Sequence, residues 1–301
     1  MNEGTSGEAA SPTLGEAAHY LLGHDPRELR RLDLQGALYR DVTLRALTEA
    51  GVQEGMSVLD VGCGSGDVSC LVAEVVGPNG TVVGVDRGEA AVATARRRAA
   101  DRGLTNVSFR VSEIDEITGG ETEDGRDSTR TSPFDALVGR FVLMHQREPA
   151  AVLARASRAV KPGGPVVMIE SWMELIHTEH SQPPSRLYDE IVRFKCQVVA
   201  AAGADVRSGG RLRETFVAAG LPAPICRLDA RLEGGPESGY YQYVEESVRS
   251  MLAEARRSGI AGFETSEDID GLAQRLREET TGAGGVLVVW PVVYAFSRIP
   301  R

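Results

Sequence analysis

From Ser57 onward, short apolar runs alternate with segments of helical period. SVLDVG (57–62), TVVGVD (81–86), NVSFRVSE (106–113), FDALVGRF (134–141) and PVVMIES (165–171) read as strands. DVSCLVAEVVG (67–77), EAAVATARRRAADRG (89–103) and EPAAVLARASRAV (148–160) lie between them and read as helices. Gly77 and Gly103 end the first two, and Lys161-Pro162-Gly163-Gly164 stops the third. Regular β-α alternation implies a parallel sheet with helices on both faces.

The flanks are less regular. Residues 1–13 are small and polar and read as a disordered tail. Residues 14–50 predict two or three helices, with Leu29, Leu32, Leu38, Val42 and Leu44 near helical spacing. Residues 118–133 read as a polar insert. Leu187, Ile191, Phe194 and Val198 predict a helix over 182–203. Another is expected over 210–219, and helical segments over 236–280. ICRLDARL (225–232) reads as a sixth strand and GGVLVVWPVVYAFS (284–297) as the last. Pro291 inside that last run predicts an edge position or a bulge. The organisation expected is a tail, a helical lid segment at 14–50 and one domain over 51–301, with helical inserts around 172–205 and 236–280.

Composition narrows the class. With 42% hydrophobic and 25% charged residues, the 301-residue chain has the balance of a globular protein. No apolar run reaches the roughly 20 residues of a membrane helix. The N-terminus has neither a basic start nor an apolar stretch, so no secretory signal is read and a cytoplasmic location is expected. A net charge of −10 disfavours a polyanionic partner such as nucleic acid. The four cysteines form no C-x-x-C pair, which disfavours zinc and a disulfide framework. No metal is expected.

The chemistry concentrates at Gly62-Cys63-Gly64-Ser65-Gly66, the turn from the first strand to the first helix. Ligands of doubly wound sheets bind outside such strand ends. A dinucleotide fingerprint needs glycine at 62, 64 and 67, but position 67 is Asp67, which would repel a pyrophosphate at the helix start. A phosphate-binding P-loop is excluded because no G-K-[ST] follows.

VLDVGCGSG resembles motif I of the class I S-adenosylmethionine-dependent methyltransferases. The acidic residue expected at the end of the second strand is Asp86, in GVD, and the one after the third is Glu113, in FRVSEID. Glu113 stands where the family usually has aspartate, and Asp115 is its rival if the register slips. FDALVGRFVLMHQREPAAVLARASRAVKPGG is similar to the family's fourth element. The resemblance covers roughly residues 56–171. It implies an α/β, Rossmann-like, doubly wound and mostly parallel seven-stranded sheet, with N-terminal and inserted helical lids, and S-adenosylmethionine as cofactor. Asp86 would hold the ribose hydroxyls, because a carboxylate accepts two hydrogen bonds from a cis-diol; a helix N-cap is its other reading. Glu113 would accept from the adenine amino group with Ile114 on the ring, and Asp60 would support the methionine end or merely cap the loop. Gly62 and Gly64 would let the cofactor approach, Cys63 would fill space between them, and Arg87 and Arg140 would line the site. Tyr20 and Gln35 would reach the cofactor from the lid.

Methyl transfer demands alignment and exclusion of water more than a fixed catalytic signature. A hydroxyl acceptor often needs a base as well. His145, after the fourth strand, and His177, after the fifth, are the candidates, beside a purely structural reading of each. Tyr20, Tyr39, Trp172, Tyr188 and Phe194 are candidate pocket walls, or ordinary core. The D/N-P-P-Y signature of amino-group methylation on bases is replaced by Gly139-Arg140-Phe141-Val142. What remains is similar to ubiquinone/menaquinone-type and bacterial small-molecule methyltransferases. The expectation is methylation of a small natural-product or quinone-like acceptor, oxygen before carbon before nitrogen. A homodimer is possible through 236–280. A cyclase or other non-methylating member of the fold, and a non-catalytic binding protein, are the alternatives.

Overall fold

The five apolar runs become the parallel part of one sheet. In the computed structural model, which describes residues 26–114, 133–176 and 179–301, the chain runs α1 (Pro26–Ala50), β1 (Ser57–Val61), α2 (Asp67–Val76), β2 (Thr81–Asp86), α3 (Glu89–Asp101), β3 (Val107–Val111), β4 (Ala136–Arg140), α4 (Pro149–Ser157) and β5 (Pro165–Ser171). It continues through β6 (Ser181–Gln182), α5 (Arg186–Ala201), α6 (Ser208–Ala218), β7 (Ile225–Asp229), β8 (Leu232–Glu233), α7 (Tyr240–Arg257), α8 (Ser266–Ile269), α9 (Leu272–Gly282), β9 (Val286–Val288) and β10 (Val292–Arg298). The main sheet has seven strands in the order β3-β2-β1-β4-β5-β10-β7. Pairing is parallel from β3 to β5, and β10 lies antiparallel to both β5 and β7.

Burial follows position in the sheet. All seven residues of β5 are buried, whereas four of the five in the edge strand β7 are exposed. Continuous apolar runs therefore mark the strands covered on both faces. The order reverses between β1 and β4, which opens a crevice outside their carboxyl ends.

Four expectations change. Residues 26–50 of the segment expected to hold two or three helices form one continuous helix, and its residues 14–25 lie outside the described residues. Gly36 lies inside it because a Cβ there would stand 3.2 Å from the Asp67 carboxylate, so the glycine allows α1 to lie against the start of α2. The helix at 182–203 begins at Arg186, after Pro183 and Pro184, where the Ser185 hydroxyl accepts from the Tyr188 amide at 3.0 Å. The run 284–297 is two strands: β9 joins a separate three-stranded sheet, β6-β9-β8, and β10 joins the main one. Pro291 thus marks neither an edge nor a bulge of one strand. It sits in the gap between two sheets, where no ladder amide is required, and its carbonyl accepts from the Trp172 amide at 2.9 Å.

The segment 236–280 contains α7, α8 and α9, and α7 turns its apolar face inward. Tyr241, Val244 and Val248 are fully buried in the core shared with Leu47 of α1 and Ile191 of α5. Each such side chain contributes about 2 kcal/mol of burial. Together α1, α5 and α7 build a helical roof over the crevice. The expected tail (1–13), Tyr20, the insert, Asp115 and His177 lie outside the described residues.

Candidate active site

The glycine loop emerges from β1 with Gly62 at φ +63° and Gly64 at φ +51°, and the two are glycine for different reasons. A Cβ on Gly62 would come within 2.6 Å of the Val142 side chain, so that residue lets the loop pack on the turn after β4. A Cβ on Gly64 would meet nothing within 4 Å, because the residue faces open cavity. The loop is held by Asp86 at the end of β2. Its Oδ2 accepts from the Gly64 amide at 2.9 Å and its Oδ1 from the Gly88 amide at 2.8 Å. The carboxylate keeps lone pairs on both oxygens for a diol. Beneath the loop, Asp60 is buried and accepts from the Ser69 hydroxyl at 2.5 Å. Burial, opposed by that hydrogen bond and supported by the nearby Asp67 and Asp86, pushes its pKa up to about 7. A cationic ligand would relieve this crowding of carboxylates.

The turn after β4 is strained and braced. Phe141 has φ +58°, a conformation that costs a non-glycine residue of order 1 kcal/mol. Its amide donates to the Ile169 carbonyl at 2.9 Å, and its ring meets Tyr39 edge-on at 5.1 Å. Arg140 is buried, pairs with Asp67, donates to the Thr43 hydroxyl at 3.0 Å and lies over the Tyr39 and Phe141 rings. Glu170, fully buried in β5, accepts from the amides of Val142 (2.9 Å), Leu143 (2.7 Å) and Met144 (3.2 Å). Burial outweighs those hydrogen bonds and pushes its pKa up to about 7.

Loop, turn and roof enclose a cavity of about 590 Å³, within the range of small-molecule sites. Among the expected cofactor residues, Asp60, Gly62, Cys63, Gly64 and Asp86 line its floor. Arg87, Glu113 and Ile114 line the side at β2 and β3, and Gln35 and Arg140 the side facing α1. His145 lines the wall, where desolvation first and the Arg87 guanidinium second hold its pKa below the ordinary value. The Cys63 thiol is pushed far above its ordinary value by burial, with Asp60 and Asp86 adding to the effect, so it stays a neutral filler. His180, the other histidine after β5, has its ring nitrogens engaged by Asp189 at 2.8 Å and the Ile176 carbonyl at 3.2 Å.

The roof differs from the expected apolar walls. Tyr39 lines the cavity, but Trp172, Tyr188 and Phe194 do not: Tyr188 bonds to Tyr240 and the Val288 carbonyl, Phe194 stacks edge-on with Phe263, and Trp172 packs against Gly210. The walls that sequence reading missed are Phe141, Met144, Lys195, Tyr243, Met251 and Trp290. Lys195 had a legible signal, since it falls on the buried stripe of α5, four residues after Ile191 and three before Val198. It is 3% exposed, with its ammonium 4.5 Å from the Trp290 ring centre and 5.1 Å from that of Tyr243. Such contacts return about 2 kcal/mol, less than the several kcal/mol that burying an ammonium costs. Its pKa accordingly falls to about 7, through burial first and Arg31 second. Ser171, Ser247 and Trp290 also line the cavity, and their Oγ, Oγ and Nε1 atoms are buried without a hydrogen-bond partner.

These features suit S-adenosylmethionine. Gly64 leaves the loop open, Asp86 is fixed with free lone pairs, Glu113 and Ile114 border the same side, and Asp60 favours a cation. Among the described residues, no group of three or more histidine, cysteine, aspartate or glutamate side chains could hold a metal ion, and no helix is long and apolar enough to cross a membrane.

The comparisons with known proteins point to the same cofactor. A family described as "Methyltransferase domain" matches residues 52–220. The chain is 36% identical over 127 residues to a nocamycin O-methyltransferase of Saccharothrix syringae, a match covering 42% of this chain and 41% of that protein. It is 28% identical over 189 residues to a demethylmenaquinone methyltransferase of Shouchella clausii, covering 58% of this chain and 74% of that one. The chain spans less than half the length of the first curated relatives it matches. Among solved structures, the YcgJ protein of Bacillus subtilis shares the fold with a TM-score of 0.50 at 12% identity, covering 86% of this chain and 99% of that one. Motif I at the mouth of β1, the reversed-order seven-stranded sheet and the family match together make this chain a member of the class I S-adenosylmethionine-dependent methyltransferases.

Proposed function

We propose that the protein transfers a methyl group from S-adenosylmethionine to a small, largely apolar acceptor, with oxygen as the favoured methyl-accepting atom. One observation carries this reading: a single cavity runs from the glycine loop and Asp86 to the apolar roof of Met144, Val198, Met251 and Trp290. The cofactor supplies a methyl group on a cationic sulfur. Asp86 and Glu113 hold the nucleoside end, Asp60 favours the positive end, and the roof keeps water away from the reacting atoms.

The acceptor class is supported by the relatives' names, which include a nocamycin and a ubiquinone-biosynthesis O-methyltransferase. A natural-product or quinone-like acceptor suits the planar apolar walls. The net charge of −10 disfavours nucleic acid as acceptor. His145 lines the cavity, whereas His177, the other histidine expected as a base, lies outside the described residues. The family match disfavours the binding-only alternative.

Calorimetry with S-adenosylmethionine, S-adenosylhomocysteine and NADH tests the cofactor. The first two should bind wild type and lose affinity for Asp86→Ala, and NADH should not bind. Incubation with phenolic acceptors should then give products one methyl heavier. Binding of NADH alone sinks the reading.

A further inference from the structure

Among the described residues, Lys195 is the one buried cation in the cavity that makes neither an ion pair nor a hydrogen bond. Arg140, the other buried cation in the wall, is paired with Asp67. Ionisable groups on the elements that form the same cavity include Arg31 of α1, which pushes the Lys195 pKa down, Tyr243 and Glu254 of α7, and His145 of the turn after β4. Of these, Glu254 is the only carboxylate, and it is engaged by Arg257 and by the Ser258 hydroxyl at 2.8 Å. Among the described residues nothing therefore neutralises a charge on Lys195, and its nitrogen is left for the cavity's occupant.

Position separates Lys195 from the expected cofactor end. The ribose-binding Asp86 ends β2, on one side of the sheet's reversal. Lys195 packs on Trp290, two residues before the start of β10, the neighbour of β5, on the opposite side. The partnerless Trp290 Nε1 and Ser247 Oγ belong to the same wall. This half of the cavity offers two aromatic faces, thioether and aliphatic walls, and a few polar groups.

Resting on the methyltransfer reading, we propose that Lys195 is a catalytic residue for the acceptor: it receives an acidic hydroxyl, phenol or enol, carried on a planar apolar framework. The neutral amine takes the hydroxyl proton. The O–H bond breaks, an N–H bond forms, and the oxygen keeps the electron pair with which it attacks. The resulting ammonium stays paired with the oxyanion, stacked on Trp290 and Tyr243, and returns its proton to solvent after the product leaves. The lowered pKa of about 7 leaves a large neutral fraction near pH 7. An exposed lysine would not have one.

The sequence contains only two lysines, Lys161 and Lys195, so labelling with [ζ-15N]lysine gives two side-chain signals, one of them an internal reference. The protein is saturated with S-adenosylhomocysteine and titrated with 4-nitrophenol, whose ionised form is coloured, and with nitrobenzene as the non-acidic control. The proposal expects bound nitrophenolate colour, movement of the Lys195 signal to the protonated position, and an unmoved Lys161. Lys195→Met should weaken 4-nitrophenol at least about tenfold, as loss of a charge-assisted hydrogen bond does. S-adenosylhomocysteine affinity should stay within about twofold. Movement of the Lys195 signal by S-adenosylhomocysteine alone, with loss of its affinity in the variant, would assign Lys195 to the cofactor's carboxylate and overturn the proposal. So would 4-nitrophenol binding no better than nitrobenzene, or binding without change at Lys195. Failure of wild type to bind S-adenosylhomocysteine sinks the cofactor reading itself, and this inference with it.

Discussion

The Asp86 carboxylate accepts the Gly64 amide hydrogen at 2.9 Å, so the end of β2 fixes the shape of the loop that leaves β1. The same side chain reaches the Gly88 amide at 2.8 Å. The N-cap of α3 is Gly88, so Asp86 does not cap that helix; it holds the turn that leads into it. Asp86→Asn keeps the size but offers one acceptor oxygen. It should lose about 1–2 kcal/mol of stability and weaken S-adenosylhomocysteine by at least about tenfold. Denaturant melts and calorimetry measure the two effects separately.

Gly62 and Gly64 should respond differently to alanine. Gly62→Ala meets Val142 at 2.6 Å and should unfold the loop's packing at a cost of about 2–3 kcal/mol. Gly64→Ala meets no protein atom, so only its φ of +51° opposes it, at about 1 kcal/mol. Its larger effect should be on cofactor affinity, because the new methyl stands in the cavity. A Gly64→Ala protein that melts like wild type and binds S-adenosylhomocysteine equally well would remove that loop from the cofactor site.

Arg140 and Asp67 should couple strongly. Arg140→Met leaves Asp67 without its buried partner and should cost about 3 kcal/mol. Adding Asp67→Asn should recover part of that loss, and a double-mutant cycle by chemical denaturation gives the coupling. Additive losses would show that the pair contributes nothing beyond its individual packing.

Glu170 makes stability depend on pH. Its folded-state pKa of about 7 lies above the ordinary 4.5, so between these values the folded protein holds more proton than the unfolded chain. Its contribution is complete below about pH 4.5 and declines as pH rises toward about 7. The stability difference between wild type and Glu170→Gln should shrink across that window and stay level above it. Asp60 acts in the same direction, so the comparison must be made against this single variant. A difference that grows with pH would mean that the carboxylate is ionised throughout.

Legibility in the sequence followed the length and regularity of each element. The β-α alternation of 57–171 was readable because each strand there is a short apolar run, buried throughout in β4 and β5, and each helix ends at a glycine or a turn. β6, β8 and β9 have only two or three residues each, too few to display a period. The glycine loop and Asp86 were legible as a spacing. Phe141, Glu170 and Trp290 were not, because their roles arise from a backbone angle and from partners distant along the chain. Trp172, Tyr188 and Phe194 stayed open between pocket wall and core for the converse reason: an aromatic residue in a helical or post-strand segment looks the same whether it faces core or cavity. Lys195 shows what a stricter reading of periodicity can recover, since a charge on a buried stripe asks for an explanation.

The place of β10 between β5 and β7 has a consequence for biosynthesis. Ile169 pairs with Tyr294, so β5 waits for 125 further residues before its second neighbour is translated. Until then the edge formed by Val166, Val167, Met168 and Ile169, all fully buried in the finished protein, is open to any other extended chain. A ribosome paused between β5 and β10 would hold out an adhesive, half-built sheet. Such a pause is therefore where chaperone demand and aggregation of this protein should concentrate.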